Sequence, residues 1–406
     1  MIILNSQQAK YCEEADHWFK YESEQLFQID GLAGTGKSVL MYAILNKLGL
    51  KPYEIYPMAY TGQASIVMRS KGFTNARSIH STLYEVVEEY DNSTVNLQMG
   101  VPIKKSVFRK RQYIDPNIKL FFIDEGYMVP ESMVKDILSF GIKVIVCGDC
   151  HQLPPVGGKP GFLVSGKIHH LTELMRQSES DPITYIALRA MQGLPIHCGV
   201  YGNNVMVIND SEFHPSMIGF ADCIVCGTNH TRDTLNKYVR QLAGIDSLLP
   251  RFGERVICRN NNWDLVQDGI SLCNGLSGTV ISQPDASGFN GKVFTMNFKP
   301  DLINGAFYDL PVNYDYFVAP FDEKQDMKNS FKRKYMIGEF FEFAYGLTTH
   351  LSQGAEYSNG IYIEEFMRPQ IQRQLNYTGT TRFKNSLIYI KKTNKYLYTP
   401  GLDKVL

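Results

Sequence analysis

The sequence predicts an α/β protein with two strand–helix units, and three observations favour this fold class. A glycine-rich loop at 31–38 lies between an apolar run at 26–30 and a helical pattern at 39–48. The apolar run that begins at Lys119 ends in two adjacent acids, as a buried strand at a ligand site does. After a polar break, the strand–helix pattern resumes at 222–232.

The glycine loop reads Gly31-Leu-Ala-Gly-Thr-Gly-Lys-Ser38 and fits the pattern G-x-x-x-x-G-K-[ST]. In a strand–loop–helix context, backbone N–H groups wrap phosphates at the helix N-terminus, Lys37 reaches the outer phosphates and Ser38 offers its hydroxyl to Mg²⁺. A turn could match by chance, but both flanks have the type that the motif requires. We therefore expect a bound nucleoside triphosphate, with contacts from Gly34, Thr35, Gly36, Lys37 and Ser38.

Two carboxylates and one amide are predicted to complete this site. Asp124 ends its strand and would hold the Mg²⁺ shell, while Glu125 would orient and deprotonate a water molecule. A further strand at 141–147 leads into a polar loop at 148–156 that contains two adjacent prolines. Gln152 in this loop is the candidate sensor of the terminal phosphate.

The composition is that of an ordinary globular protein: 44% of the 406 residues are apolar and 20% are charged. The formal net charge is zero, so bulk charge gives no argument for nucleic acid or for a membrane surface. No apolar run approaches the roughly 20 residues of a spanning helix, and the apolar N-terminus is too short for a signal peptide. We expect a cytoplasmic protein.

Two cysteine pairs have the spacing of half a zinc site: Cys147 with Cys150, and Cys223 with Cys226. Both pairs lie in or at the end of apolar runs that predict core strands. Side chains three apart on a strand point to opposite faces. Buried thiols are therefore the favoured interpretation over zinc.

The segment 86–118 interrupts the strand–helix alternation and is polar, with a turn signal at Gly100. It includes five basic residues with Phe108 among them, at 104–111. Such a segment could follow a phosphate backbone and stack on a base, or it could be a solvated surface hairpin. Residues 264–338 are predicted to be β-rich, with the alternating side chains of 294–298 on one buried face.

The motifs, in this order, resemble the superfamily 1B DNA helicases, in the RecD-like branch with its compact phage Dda-type members. The resemblance covers nearly the whole chain. The stretches that carry it are 4–8, 31–38, 61–64, 76–80, 124–125, 148–156, 176–177, 350–356 and 377–382. Many relatives carry Lys where this chain has Leu351, so the resemblance implies a missing phosphate contact and reduced DNA affinity.

The resemblance implies two RecA-like P-loop NTPase domains, at 1–178 and 179–406, with ATP bound in the cleft between them. The implied inserts are a strand-separating pin, which is a small β-hairpin, at 86–118 in the first domain, and a small β-barrel at 264–338 in the second. An arginine that reaches the terminal phosphate from across a cleft would couple hydrolysis to opening and closing, as a motor requires.

Roles for single residues follow from the same resemblance. Gln8 would read the adenine, Gly354 and Glu356 would line the nucleotide, and Arg176 and Arg382 would act as arginine fingers. The residues expected to face single-stranded DNA are Thr61, Gly62, His80, His350 and Ser352, to which the basic segment adds Phe108. By itself, His80 at a helix start is more typical of a capping or packing residue.

The implied activity is an ATP- and Mg²⁺-dependent DNA helicase that moves 5′ to 3′ on single-stranded DNA and separates duplex strands. The implied partners are single-stranded and forked DNA, bound by a monomer that works with replication proteins in DNA replication, repair and recombination. A phage-encoded protein of this kind would act in the host cytoplasm.

Two other classes of function remain. A nucleotide kinase would account for the P-loop but would leave Gln152, Arg382 and the second α/β unit without a role. The second alternative is a nucleic-acid binding module with a degenerate ATPase. The intact Lys37, Glu125 and Arg382 argue against it. A DNA-stimulated ATPase rate distinguishes a motor from both.

Overall fold

A computed structural model describes residues 3–95, 102–175, 180–286, 291–329 and 337–393. The chain forms two lobes, each built on its own six-stranded sheet. The elements of the first lobe are α1 (Ser6–Tyr21), β1 (Leu26–Gly31), α2 (Lys37–Leu48), β2 (Ile55–Ala59), α3 (Gly62–Ser70), β3 (Arg77–Ser78), α4 (Ile79–Leu83), β4 (Tyr84–Val95), β5 (Pro102–Lys110), β6 (Leu120–Asp124), α5 (Glu131–Leu138), β7 (Lys143–Gly148) and β8 (Ile168–Leu171).

The second lobe begins after residue 179. Its elements are α6 (Pro182–Gln192), β9 (Gly199–Tyr201), β10 (Val205–Asn209), β11 (Cys223–Cys226), α7 (Asn229–Leu242), β12 (Arg255–Cys258), β13 (Asn262–Gln267), β14 (Ile270–Leu272), β15 (Ser277–Val280), β16 (Val293–Pro300), β17 (Phe307–Asn313), α8 (Tyr314–Val318), α9 (Phe321–Asn329), β18 (Phe341–Phe343), β19 (Gly346–Thr348), β20 (Tyr357–Ile363), α10 (Pro369–Thr380) and β21 (Phe383–Lys391).

The sheet of the first lobe is parallel, in the order β3-β2-β6-β7-β1-β8. Helices cover both of its faces, which is why its central strands read as continuous apolar runs rather than alternating ones. The carboxyl ends of β1, β6 and β7 lie at one edge of the sheet. The three predicted site segments follow these strands, so the topology brings the glycine loop, the two acids and the Gln152 loop together.

The glycine loop is followed at once by α2, as the sequence predicts. Gly36 caps the helix in the left-handed conformation at φ 76°, and Gly49 ends it at φ 65°. An L side chain is strained at such φ values, so the two glycines fix where the helix begins and where it stops. The helix packs Leu40, Met41 and Ile44 into the core beneath β1.

The sheet of the second lobe has the order β19-β11-β20-β21-β10-β9, and it is parallel except for the edge pair β9–β10. Helix α6 packs on this sheet, with Ile183 and Ile186 in the same core as Tyr362. The two lobes, each with its own six-stranded sheet, together form the predicted α/β fold class. The break between the lobes falls near the predicted polar boundary.

An antiparallel sheet with the order β17-β16-β15-β12-β18 is inserted into the second lobe. Phe294, Met296 and Phe298 of β16 are buried on one face, which confirms the period-two pattern. The sheet runs from Arg255 to Phe343 and thus extends beyond the predicted 264–338 at both ends. The two strands outside the predicted bounds, β12 and β18, are short apolar runs, which sequence alone cannot separate from strands of the adjoining parallel sheet.

The predicted insert of the first lobe contains the antiparallel pair β4–β5, in which Tyr84 lies opposite Lys110 and Val86 opposite Phe108. The sequence offers Met99, Val101 and Phe108 as candidates for the residue that separates the strands, and of these Met99 and Val101 lie outside the described residues. Within the described residues, none of the helices combines the length and the apolar composition that crossing a bilayer requires.

Candidate nucleotide cleft and nucleic-acid groove

The glycine loop is held open by hydrogen bonds among its own atoms. The Lys37 ammonium donates to the carbonyl oxygens of Gly31 and Leu32, at 2.6 and 3.0 Å. The Thr35 hydroxyl donates to the carbonyl of Leu32 at 2.8 Å. Left-handed φ values at Gly34 and Gly36 curl the backbone around Lys37. This is the arrangement that presents N–H groups and one cation to a phosphate.

Gln8 lies directly behind this loop rather than at an open adenine site. Its side chain is 0% exposed, and its amide nitrogen donates to the carbonyls of Thr35 and Gly36 at 3.1 and 3.4 Å. Its amide oxygen accepts the backbone N–H of Asn5, which closes the capping box of α1. Gln8 therefore supports the conformation of the loop, and it would have to give up these bonds to read an adenine.

The two predicted acids lie at the end of β6. Asp124 accepts the backbone N–H of Glu125 at 2.9 Å. Glu125 has φ 52°, a left-handed conformation that is rare for a residue with a side chain and that is enriched at functional sites. Burial raises the pKa of Glu125, Arg382 opposes this effect and Asp124 adds to it. A raised pKa suits a general base that must accept a proton near neutral pH.

Gln152 of the first lobe and Arg382 of the second lobe contact each other across the cleft. The Arg382 guanidinium donates to the amide oxygen of Gln152 at 3.3 Å, and two further donations, to the carbonyls of Thr378 and Ala355, fix its direction. Arg382 and Lys37 both act electrostatically on the Glu125 carboxylate. The base, the loop lysine and the arginine from the second lobe therefore converge on one place.

Tyr377 is a cleft residue that sequence reasoning missed. Its hydroxyl accepts the N–H of Ala33 in the glycine loop at 2.8 Å and donates to Asp149 at 2.5 Å. Burial alone would raise the pKa of Asp149, but His151, Lys37 and Tyr377 outweigh it and hold the pKa below its usual value. One phenol of the second lobe thus bridges two loops of the first.

The Gln152 loop is also held by amide and hydroxyl groups of the second lobe. The N–H of Leu153 donates to the Thr378 hydroxyl at 3.1 Å, and the Gln353 amide donates to the carbonyl of Leu153 at 3.0 Å. The loop that would sense the terminal phosphate is therefore attached to the opposite lobe.

Gly354 and Glu356 contact the first lobe at α3 rather than at the glycine loop. A side chain at Gly354 would come within 2.7 Å of the Ala64 side chain, so the two lobes touch there. Glu356 forms an ion pair with Lys71 at 2.7 Å and another with Lys384. The structure thus places both residues at the lobe interface, and their contact with a nucleotide stays a prediction.

The predicted Mg²⁺ ligands are Ser38, at the start of α2, and Asp124. A hydroxyl and a carboxylate are oxygen donors, which Mg²⁺ prefers, and both side chains are half-buried at the edge where the phosphates would lie. The side chains of Ser38 and Asp124 therefore fit a bound Mg²⁺ ion. The other predicted arginine finger, Arg176, lies outside the described residues.

A groove of about 380 Å³ lies beside the cleft, between α3, the β4–β5 hairpin and the β13–β14 hairpin of the second lobe. It brings together three of the predicted nucleic-acid residues: Gly62, His80 and Phe108. Burial lowers the pKa of His80, so its imidazole is neutral at physiological pH. Three arginines also line the groove: Arg69, Arg77 and Arg111.

Trp263 closes the groove from the second lobe, and sequence reasoning missed it. The ring of Phe108 lies 5.5 Å from that of His80 and 6.0 Å, edge-on, from the ring of Trp263. The hairpin that carries Trp263 turns at Asp268 and Gly269, both at left-handed φ. An Asp-Gly turn between two strands was the available signal. Arg69 donates to the carbonyls of both turn residues and holds the hairpin in place.

The remaining predicted nucleic-acid residues differ in accessibility. His350 is exposed and Thr61 is half-buried, with its hydroxyl capping α3 at the N–H of Ala64. Ser352, in contrast, is 0% exposed, and its hydroxyl donates to the carbonyl of Thr349. The expectation that the Ser352 side chain faces DNA is therefore wrong in this structure, because a backbone carbonyl in its own turn takes up the hydroxyl.

Known proteins resemble this chain in sequence and in fold. Residues 3–195 match a family model described as an AAA domain. The Pif1 helicase from Candida albicans is 17% identical, with 100% of this chain and 98% of that chain aligned at a TM-score of 0.54. The Pif1 helicase from Bacteroides in complex with ADP-AlF3 and ssDNA is 15% identical, over 96% and 92% of the two chains, also at a TM-score of 0.54. The chain has a RecA-like helicase fold.

A relative found by sequence similarity covers a smaller part of this chain than the solved structures do. An uncharacterized protein of Acanthamoeba polyphaga mimivirus is 25% identical over 200 residues, which is 44% of this chain and 40% of that protein. The aligned segment therefore spans less than half of the viral protein. The family match and the shared fold together support a P-loop NTPase of helicase type.

Proposed function

We propose that this chain is an ATP-driven DNA helicase that moves along single-stranded DNA and separates duplex strands. The observation that carries the proposal is the position of Arg382, which comes from the second lobe, contacts Gln152 of the first lobe and acts electrostatically on the Glu125 carboxylate. An arginine that reaches the cleft from the second lobe stabilises transition-state charge only when the lobes are closed. Each hydrolysis event is then coupled to one closing and opening of the lobes.

The chemical roles follow from the positions of the side chains. Glu125, with its raised pKa, accepts a proton from the attacking water, and Lys37 and Arg382 neutralise charge on the terminal phosphate. Mg²⁺ held by Ser38 and Asp124 would neutralise further phosphate charge. Gln152 contacts Arg382 and would report the presence of that phosphate to the second lobe. A simple kinase would need none of these cross-lobe contacts.

The groove beside the cleft is the proposed path of the single strand. Aromatic rings stack on bases of any sequence, and Arg77 and Arg111 of the groove are suited to backbone phosphates, whereas Arg69 is bonded to the β13–β14 turn. Two structures of Pif1 helicases with the same fold support a DNA substrate: the Bacteroides structure contains ssDNA, and a further one, at 16% identity and a TM-score of 0.54, concerns unwinding at forked dsDNA. The β4–β5 hairpin forms one wall of the groove and is the proposed strand-separating pin.

The finer assignments come from the sequence resemblance. They are 5′ to 3′ movement, a place in the RecD-like branch, a working monomer, the two domains with their inserts, and roles in DNA replication, repair and recombination. The chain's neutral net charge and the Leu351 departure favour weak binding that depends on salt concentration.

Two assays test the proposal. Single-stranded DNA is expected to stimulate ATP hydrolysis, and a rate indifferent to added strand would favour a phosphotransferase instead. Strand displacement on matched duplexes with a 5′ or a 3′ tail then decides polarity: opening of the 5′-tailed duplex alone supports the proposal, and opening of the 3′-tailed duplex alone reverses the direction. Lys37→Ala is the negative control in both assays.

A further inference from the structure

A cluster of three different metal-binding side chains lies at the base of the Gln152 loop. Asp30, Cys150 and His151 each offer one ligand atom, and these atoms lie within 4.8 Å of one another. The Cys150 sulfur is 3.3 Å from a carboxylate oxygen of Asp30 and 3.5 Å from the Nδ1 of His151. None of these three residues belongs to the phosphate, Mg²⁺ or arginine positions described above.

The spacing of the donor atoms can be compared with that of a coordination sphere. Zinc bonds of about 2.0–2.3 Å in a tetrahedron place neighbouring donor atoms roughly 3.3–3.8 Å apart. Both distances from the Cys150 sulfur fall in this range. The third separation, between the donor atoms of Asp30 and His151, is at most 4.8 Å, so these two side chains need to approach by no more than about 1 Å to share one ion.

We propose that Asp30, Cys150 and His151 bind a thiophilic divalent cation of the zinc class. A thiolate, an imidazole and a carboxylate are the donors that such ions take, and three protein ligands leave the fourth position to water. The bound cation displaces two protons, the thiol proton of Cys150 and the Nδ1 proton that His151 holds toward Asp149, and both leave to solvent. Mg²⁺ does not compete, because it prefers oxygen donors.

The surroundings of Asp30 hold its carboxylate in a fixed orientation. The side chain is 5% exposed, and its Oδ1 accepts the backbone N–H of Cys150 at 2.9 Å. The Nδ1 of His170 lies 3.0 Å from its Oδ2. Ligating carboxylates in proteins are commonly hydrogen-bonded in this way by neighbours that do not touch the metal.

This arrangement differs from the zinc pattern in the sequence. Cys147 and Cys150 have the spacing of a metal pair, but Cys147 is 0% exposed within the core of the first lobe. Cys223 and Cys226 lie in β11 of the other lobe. Cys150 instead finds its partners in the preceding strand β1 and in its own neighbour.

The cation would act on the nucleotide cleft through His151, a consequence that rests on the proposed function. The Nδ1 of His151 is 3.5 Å from Asp149, and Asp149 accepts the hydroxyl of Tyr377. An imidazole nitrogen that binds a metal no longer pairs with Asp149. Since His151 also binds Asp149 through its backbone N–H, turning its imidazole onto the cation should shift the carboxylate that accepts the Tyr377 hydroxyl, disturb this cross-lobe contact and slow ATP hydrolysis.

Titration of the metal-free full-length protein with Zn²⁺ tests the site itself. We expect one equivalent to bind, and Cys150→Ser or His151→Ala to weaken the affinity at least about tenfold. Replacement by Co²⁺ should give a thiolate charge-transfer absorption that Cys150→Ser abolishes. Cys198→Ser, which removes an exposed cysteine elsewhere, is the matched control and should change neither signal.

Three results would overturn the site: no stoichiometric binding to the wild type, an unchanged isotherm for Cys150→Ser, or a cobalt spectrum without a thiolate band. Thermal unfolding of both variants without metal shows whether they fold. In ATPase assays, Zn²⁺ should slow the wild type more than Cys150→Ser. Equal slowing would mean that Zn²⁺ merely replaces Mg²⁺, which overturns the coupling. Neither the titration nor the cobalt spectrum depends on helicase activity.

Discussion

The two lobes meet in two places that differ in chemistry. At the nucleotide cleft the contacts are buried and polar: Tyr377 is 0% exposed, and Arg382 is 4% exposed. At the groove the contact is aromatic and open, and Phe108 is 49% exposed. Buried polar contacts demand one geometry, whereas ring stacking tolerates many. The cleft is thus suited to sensing the state of one ligand, and the groove to holding a polymer of varying sequence.

The largest expected effect comes from removing Arg382, the arginine that lies at the nucleotide cleft. Arg382→Ala should lower DNA-stimulated ATP hydrolysis by about 10³–10⁵-fold, since it removes the cation that the second lobe brings to the phosphates. Binding of single-stranded DNA, measured by fluorescence anisotropy, should change little. Equal loss of DNA binding would show that the cleft and the groove are not separable.

Because Arg382 also donates to two backbone carbonyls, its replacement needs a structural control. Arg373→Ala is suitable, as it removes an arginine from α10, the helix that precedes Arg382, on the side that faces Gly193 and Pro195. Both variants should retain the thermal unfolding midpoint of the wild type within a few degrees. A large drop for Arg382→Ala alone would assign the arginine to folding instead.

The general base gives the next largest effect and a dependence on pH. Glu125→Gln should lower hydrolysis by about 10²–10⁴-fold and retain nucleotide binding. Burial raises the Glu125 pKa above its ordinary 4.5, with Arg382 opposing. Activity should therefore be full above that raised pKa and be lost as the pH falls through it. A rate–pH profile with its acidic limb at or below 4.5 would contradict this assignment.

The rate–pH profile also tests whether Arg382 acts electrostatically on Glu125 during turnover. Arg382 lowers the pKa of Glu125, so residual activity of Arg382→Ala should show an acidic limb at higher pH than the wild type. An unshifted limb would place the two groups out of electrostatic contact during turnover.

The sequence predicted the parts of the cleft that are continuous in the chain. The glycine loop, the two acids and the Gln152 loop each follow an apolar strand, so a local pattern was sufficient. Tyr377 and Trp263 were missed because their partners lie far away in sequence: Ala33 is 344 residues from Tyr377. No local pattern records such contacts.

Two residues lie in surroundings that their predicted roles did not anticipate. The roles of Gln8 and Ser352 came from the family resemblance, which says nothing about the burial of either side chain. Both are 0% exposed and bonded within the protein. A buried polar side chain needs a partner, and nearby backbone carbonyls supplied one in each case. Residue type alone does not reveal which partner is nearest.

Tyr377 tests whether the buried contacts of the cleft transmit closure. Tyr377→Phe keeps the ring but removes a hydroxyl that bonds the glycine loop and the charged Asp149, with an expected loss of about 1.5–3 kcal/mol in lobe closure. The DNA-stimulated kcat should fall by about 10–100-fold, with little change in ATP affinity.

The matched control for this variant is Tyr362→Phe, which loses a buried hydrogen bond to Asn376 within the second lobe. It should show a similar loss of stability in thermal unfolding but near-normal kcat. If both variants slow hydrolysis equally, the effect of Tyr377 is general destabilisation and not transmission between lobes.

The smallest expected effect lies at the groove, where contacts are tolerant. Trp263→Ala should weaken binding of single-stranded DNA by about 1 kcal/mol, the lower end of the value for one stacked base, because the ring is half-buried at the rim. ATP hydrolysis without DNA should be unchanged, since no cleft contact involves this side chain. Phe252→Ala, which removes an aromatic residue 69% exposed and outside the groove, is the control and should leave DNA affinity as it is. If Trp263→Ala and Phe252→Ala bind DNA equally well, the strand does not pass between Phe108 and Trp263. The groove would then not be the surface that holds the polymer, and the functional contrast between cleft and groove would be wrong.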